Sequence, residues 1–433
     1  MNADIVLVYP YFRTHAPTEL LFQPLGIASL ASQIKSLGLS VAACDCTFAT
    51  FEQAIEKIAA GKPAVLGISV MITLSAHASR MVKALRKRLP ETLFVCGGPL
   101  PTLYPDRFAR EFDVVFRGES DLIFPAFCRD YLANCNRKNL HTRLDLSQYP
   151  GLAHCTGSSS PGRPLIHHSR ATRDTLPLPD RSGAEHARYQ QFWLDKTGCK
   201  PASILLTRGC PFHCDFCSKP VFGDVFRTPS VAKIMDEIDD IKRYGYDQLW
   251  IADDCFTLDG AFLEEFCRSL LLSREGITWT CLARPDGLTD GAIRLMRSAG
   301  CVKIYMGLES GDNETLRLMN KKSTVEIGIR AVHRLHDSGI RVGGFFIVGY
   351  PGETEDSIEK TFSLALSLPL EDISFNVPFP LPGSALYSRV SGLDADADWA
   401  VENETKFVYC SEFDTVWLKE RIAETMRSFH AAK

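Results

Sequence analysis

The sequence has no long apolar run. None of its hydrophobic stretches approaches the roughly 18–20 residues that cross a bilayer, so no membrane span is expected. It has little excess charge, with 48 basic against 52 acidic side chains and a formal net charge of −4. That balance speaks against a polybasic nucleic-acid binder. No short repeat recurs, and the acidic run Asp394–Asp398 is the one biased tract. The first residues, Met1-Asn-Ala-Asp-Ile-Val-Leu-Val-Tyr-Pro10, carry neither a basic segment nor a long apolar stretch. They read as a strand rather than a signal peptide, and a cytoplasmic location is expected. Fifteen cysteines is an odd count for a chain without an export signal. Disulfide frameworks belong to small secreted domains, so these thiols are expected reduced, most of them as small buried apolar residues.

What is present is ordinary globular composition, 45% hydrophobic and 23% charged over 433 residues, enough for two or three domains at roughly 100–200 residues each. Residues 1–135 alternate short apolar runs (Ile5–Tyr9, Val41–Cys44, Ala64–Ser69, Leu93–Gly97, Val114–Phe116) with amphipathic helical patterns. This alternation predicts a Rossmann-like, doubly wound parallel α/β sheet of about five strands. Ligands of such sheets sit beyond the carboxyl ends of the strands, near the switch point. Residues 136–200 are rich in breakers and read as a connector with little regular structure; a His167-His168 pair there reads as solvated. From 201 to 385 six strand–helix units follow: Ser203–Thr207, Gln248–Ala252, Trp279–Ala283, Lys303–Leu308, Gly343–Val348 and Ile373–Pro378. They predict a partial (β/α)6 barrel with its chemistry at the carboxyl ends of the strands. Residues 386–433 form a C-terminal extension ending in an amphipathic helix near Thr415–Phe429.

Directly after the first barrel strand stands Thr207-Arg-Gly-Cys210-Pro-Phe-His-Cys214-Asp-Phe-Cys217-Ser. Three thiols in eight residues make a compact chelating loop, and thiolates select zinc, Cu(I) or iron–sulfur clusters. Structural zinc prefers four closed ligands; no second cysteine pair follows, although His213 inside the loop can complete a tetrahedral site. A 4Fe–4S cluster is normally held by four cysteines, so three leave one iron open to a further ligand.

This CxxxCxxC loop resembles that of the radical S-adenosylmethionine (SAM) superfamily. The resemblance implies a 4Fe–4S cluster on Cys210, Cys214 and Cys217, with SAM chelating the open iron and cleaved to a 5′-deoxyadenosyl radical. Phe216 matches an aromatic position beside the adenine. Asp253 or Asp254, in Ala252-Asp-Asp-Cys-Phe-Thr257, stands where relatives often carry Gly-Gly-Glu for the SAM ammonium. Arg284 is a candidate for the SAM carboxylate. Glu309 and Ser310, in Gly307-Leu-Glu-Ser-Gly311, resemble the ribose motif. Ile347 and Gly349, in Gly344-Phe-Phe-Ile-Val-Gly-Tyr-Pro-Gly-Glu353, resemble the strand that lies against adenine.

The amino-terminal region resembles the cobalamin-binding domain of many radical SAM enzymes. The candidate contacts are Pro24, Leu25, Ser69, Met71, Thr73, Gly97, Gly98, Pro99, Leu100, Thr102, Gly118 and Glu119. Glycine pairs after strands permit close backbone approach to a large flat ligand. The sequence lacks an Asp-x-His-x-x-Gly segment, the usual source of a histidine below cobalt, and Leu100 stands where relatives often carry histidine. A lower face without a protein histidine, lined by Met71 or Leu100, is therefore expected if cobalamin binds. Leu100 also leaves open a domain that has lost it.

Together these resemblances imply a cobalamin-dependent radical SAM methyltransferase. It would methylate an unactivated carbon or phosphorus centre of a small-molecule or peptide substrate via methylcobalamin, with flavodoxin or ferredoxin as electron donor. The alternative with the same cofactors is a cyclase or rearrangement enzyme. Cys255, Cys281, Cys301 and Cys410 read as ordinary thiols, Tyr305 and Tyr350 as packing or substrate-facing rings, and Lys321-Lys322 as a solvated face.

Overall fold

The computed structural model describes residues 3–13, 20–154, 170–219, 221–273, 276–393 and 407–433. The His167-His168 pair and the acidic run Asp394–Asp398 lie outside the described residues. Two compact units emerge, one built on Met1–Phe192 and the other on Trp193–Lys219, Asp224–Ala397 and Asn403–Lys433.

In the first unit, Val6 and Val8 of β1 (Ile5–Tyr9) enter one core, and Ile5 and Leu7 enter the other, as the period of two demands. β2 (Val41–Asp45), β3 (Val65–Ser69), β4 (Leu93–Gly97) and β5 (Val114–Phe116) join β1 in parallel, in the order β2-β1-β3-β4-β5. Apolar residues make both faces of β1, β3, β4 and β5 buried, while the edge strand β2 is mostly half-buried. Helices Phe51–Gly61 and Ser75–Arg86 bury Ile55, Ile58, Met81 and Leu85 on one face. Helices Leu25–Ser36 and Ile123–Asn134 bury Ile27, Ile34, Phe124 and Phe127 on the other. The strand order reverses between β1 and β3, which defines the switch point.

Residues 136–154 and 170–192, within the stretch expected as connector, are part of this unit. β6 (Leu152–Ala153) adds antiparallel to β5 and covers an otherwise bare sheet edge. Helix His186–Thr197 starts here as well. Its Tyr189 is buried among Tyr11, Leu21 and Leu74, and its hydroxyl donates to Asp45 Oδ2 at 2.5 Å.

The second unit is a sheet in strict chain order. β7 (Pro201–Ile204), β8 (Gln248–Ile251), β9 (Thr278–Ala283), β10 (Cys301–Glu309), β11 (Arg341–Ile347) and β12 (Asp372–Asn376) are all parallel. β7 and β12 are its two edges, which makes it a partial barrel. Helices Val231–Arg243, Gly260–Ser273, Asp290–Ser298, Val325–Asp337 and Glu355–Ser367 separate successive strands. Ile304, Met306 and Leu308 of β10 pack into the core with these helices. Lys303, Tyr305, Gly307 and Glu309 therefore take the opposite, concave face. Tyr305 stacks on Phe345 there, with centroids 5.4 Å apart. The strand expected to reach Thr207 stops at Ile204, because Asp253 captures the next amides (below). Helix Thr415–Ala431 packs within this unit through Leu418 and Phe429. Among the described residues no helix is long and apolar enough to cross a membrane.

Candidate functional site

The thiol loop begins where β7 ends. Asp253, 2% exposed, accepts Leu206 N–H at 2.7 Å on one oxygen and Thr207 N–H at 2.8 Å on the other. These bonds replace a sheet ladder and release the chain into a turn at Gly209, whose φ is +81°. Cys210 and Cys214 are half-buried and Cys217 is exposed; Cys217 N–H donates to Cys214 O at 3.0 Å. Lys219 folds back and its ammonium donates to the carbonyls of Cys210 (2.7 Å) and Phe212 (2.5 Å). Arg284, at the end of β9, places Nη1 3.6 Å from Cys214 Sγ and stacks over Phe212. A hydrogen bond with the Cys255 thiol, assisted by the Phe212 amide and the Lys219 charge, lowers the Cys210 thiol to about 6; Cys255 is correspondingly pushed up.

Several expected roles change in this setting. Asp253 engages the backbone with both oxygens, so of the acidic pair the exposed Asp254, beside Gly209 N–H and Lys219, is the one open to an ammonium ligand. Arg284 bonds Asp286 (3.0 Å) and Lys321 O and lies 3.6 Å from Cys214 Sγ, which places it against the thiol loop. Ser310 is 1% exposed, pairs with Thr361 Oγ1 at 3.1 Å and accepts Asp312 N–H, so it braces the turn after β10. Lys321 is no solvated side chain. It is 5% exposed and ion-paired with Glu309 at 2.6 Å. Phe216 and Ile347 meet in one apolar cluster with Met319, Tyr350 and Leu386. Gly349 lies against Phe407 and Leu418, whose packing would not admit a Cβ. His213 is exposed and offers its carbonyl to Asn320 at 2.7 Å. Cys281 and Cys301 are core thiols and Cys410 is exposed.

Among the described residues no three His, Cys, Asp or Glu groups converge as a single ion requires. The chemistry of the donors decides the fit instead. An all-thiol loop with one sulfur biased toward thiolate, and with Arg284 and Lys219 at hand to balance charge, suits an iron–sulfur cube.

In the first unit the carboxyl-end loops are knitted together. Ser69 pairs with Gly97, and Val70 N–H donates to Gly97 O at 2.8 Å. Gly98 has φ +113°, and a Cβ there would sit 2.8 Å from Val70 O. Pro99 opens the short helix Pro99–Leu103. Thr102 Oγ1 donates to Gly98 O (2.8 Å) and accepts Gly118 N–H (2.9 Å), setting Gly118 (φ +70°) and the buried Glu119. Pro24, Leu25, Met71 and Thr73 are half-buried at the loops bordering the switch point. Leu100 does not line an open face: it is 3% exposed in the core that holds Met81 and Phe108. A glycine cradle at this edge fits a broad flat ligand approached by backbone.

A doubly wound sheet with a glycine-lined edge and a partial barrel with three thiols at its mouth each have a counterpart among known families. The model of the Radical SAM superfamily matches residues 204–365, and that of the B12 binding domain matches 16–128. A protein of Pyrococcus horikoshii described as an uncharacterized methyltransferase is 30% identical over 394 residues, 87% of this chain and 80% of that protein. The anaerobic magnesium-protoporphyrin IX monomethyl ester cyclase of Rubrivivax gelatinosus is 26% identical over 88% of this chain and 68% of its own length. Among solved structures, the radical SAM methyltransferase TsrM of Kitasatospora setae superposes with TM-score 0.74 at 16% identity, over 89% of this chain and 77% of TsrM. The cobalamin-dependent enzyme OxsB superposes at 0.71 and 19% identity over 86% of this chain, which spans about half of OxsB's length (53%). The chain belongs to the radical SAM superfamily, in the branch whose barrel follows a B12-binding domain.

Proposed function

We propose that this chain is a cobalamin-dependent radical SAM methyltransferase that acts on an unactivated carbon or phosphorus centre of a small-molecule or peptide substrate. The observation that carries the reading is the order of parts. A glycine-cradled doubly wound unit precedes a partial barrel whose first loop offers three thiols, and a methyltransferase relative aligns with 87% of the chain. When bound, the cluster, SAM and cobalamin supply one-electron cleavage of the sulfonium and carriage of a methyl group.

The chain's own residues bind and orient. Cys210, Cys214 and Cys217 would hold the cluster, steadied by Lys219 on two loop carbonyls and by Arg284 on Cys214. Asp254 suits the SAM ammonium, Glu309 a ribose diol, and Phe216 with Ile347 an apolar wall for adenine. In the first unit, Gly97, Gly98 and Gly118 would admit cobalamin to the backbone, with Met71 and Thr73 beside the switch point.

The test is anaerobic reconstitution with iron, sulfide and hydroxocobalamin, then incubation with methyl-labelled SAM under reduction. Deoxyadenosine formation and a label in the product support the reading. A triple Cys→Ser variant that turns over like wild type sinks it. The cyclase relative, aligned over 88% of the chain, favours one second reading: ring closure without methyl gain. A ring-closed product that carries no label from SAM would select it.

A further inference from the structure

Glu309 ends β10 with φ +63°, a left-handed backbone that a carboxylate side chain rarely adopts. Its Oε1 meets Lys321 Nζ at 2.6 Å, and the two residues are 7% and 5% exposed. Lys321 stands between two more left-handed residues, Asn320 (φ +51°) and Lys322 (φ +56°). Gly307 precedes Glu309 on the same face of β10. A Cβ there would collide with Glu309 Oε1 and come within 3.0 Å of Lys321 Nζ. Three left-handed residues and a glycine whose missing Cβ leaves room for both charged tips thus converge on a single pair. A buried ion pair is no better a source of stability than well-packed apolar residues, whereas strain of this kind gathers where a side chain must be aimed.

The segment that carries Lys321 also grips the thiol loop. Met319 O accepts Asp215 N–H at 2.9 Å, Asn320 Nδ2 donates to His213 O at 2.7 Å, and Lys321 O accepts from Arg284, whose other nitrogen lies on Cys214. Among the described residues no other side chain bonds the Glu309 carboxylate, so Oε2 faces no competing donor.

We propose that Lys321 is a positioning residue: it fixes the Glu309 carboxylate for a ribose diol and, through its own backbone and Arg284, keeps that carboxylate in register with the Cys214 loop. The inference rests on the ribose reading of Glu309. It assigns Lys321 no contact with SAM.

The test compares binding of SAM with binding of its 2′-deoxyribose analogue to the anaerobically reconstituted full chain by equilibrium dialysis. Wild type is expected to prefer SAM by roughly tenfold, the worth of one well-aimed hydrogen bond. Lys321→Met is expected to erase that preference with iron content unchanged, and Lys321→Arg to restore most of it. Should the methionine variant fail to fold, Lys321→Gln, polar but too short to reach Oε1, carries the same expectation. A methionine or glutamine variant that keeps the preference while Glu309→Gln loses it overturns the role of Lys321. A Glu309→Gln variant that keeps it overturns the ribose reading instead.

Discussion

The Arg284 guanidinium lies 3.6 Å from the Cys214 sulfur and 3.7 Å above the centre of the Phe212 ring, so one side chain holds two residues of the thiol loop at once. Its remaining nitrogens are fixed by Asp286 and Lys321 O. A planar cation does this and an ammonium does not. Arg284→Lys is therefore expected to keep the fold but lose loop order. Hydrogen bonds to charged groups are worth about 1.5–3 kcal/mol each, so iron and sulfide retained after anaerobic gel filtration should fall well below wild type. Unchanged iron content would show that the loop does not depend on this contact.

The acidic pair after β8 separates into a buried member bonded to the backbone, Asp253, and an exposed one, Asp254. Asp253→Asn replaces one of two acceptors with an NH2 group facing a backbone N–H, and leaving that buried donor unsatisfied costs about 1–3 kcal/mol. Asp254→Asn, on an exposed side chain, should leave the melting temperature within about a degree or two, since surface changes usually stay within ±0.5 kcal/mol. It should instead weaken SAM binding. Thermal melting and dialysis, run side by side, read the two effects separately.

A pH dependence is built into the turn after β11. Burial raises the Glu353 carboxyl to about 7, although Tyr350 N–H, Gly349 N–H, Ser357 and Thr315 favour its charged form. A carboxyl raised in the folded state contributes stability that is complete below its unfolded value near 4.5. That contribution is lost as pH climbs through about 7. The shift is worth about 3 kcal/mol at about 1.4 kcal/mol per pH unit. Glu353→Gln, which keeps an acceptor for Tyr350 N–H, should flatten the fall in urea midpoint between pH 4.5 and 7 and be the more stable protein at pH 8. An unaltered profile would mean the group titrates normally.

The thiol loop was legible in sequence because its ligands are local, three cysteines between positions 210 and 217. The strands were legible too, since alternating or continuous apolar runs report burial directly. The apolar run carries β7 three residues past its observed end because the acceptor that ends it, Asp253, lies 46 residues away from Thr207. β6 has two residues, too few to show a period. Lys321 was hidden by its neighbour: a Lys-Lys pair looks solvated, and nothing local announces the left-handed turns that aim one lysine inward. The Cys210–Cys255 contact and the Tyr189–Asp45 bond join residues far apart in the chain. Topology creates such contacts, and spacing cannot show them.

The loop after β4 offers the sharpest test of the first unit. Gly98 combines φ +113° with a Cβ direction that points at Val70 O, 2.8 Å away. Alanine there must both adopt a strained backbone, at about 1–3 kcal/mol, and push apart the β3 and β4 loops. Thr102, bonded to Gly98 O and Gly118 N–H, would carry the displacement to the loop after β5. Gly98→Ala should therefore lower cobalamin retention, read from its visible absorbance after desalting, while iron content in the barrel stays at the wild-type level. Thr102→Val, which keeps the shape but removes both hydrogen bonds, should do the same to a smaller degree. Full cobalamin retention by both variants would place the cofactor away from this edge of the sheet.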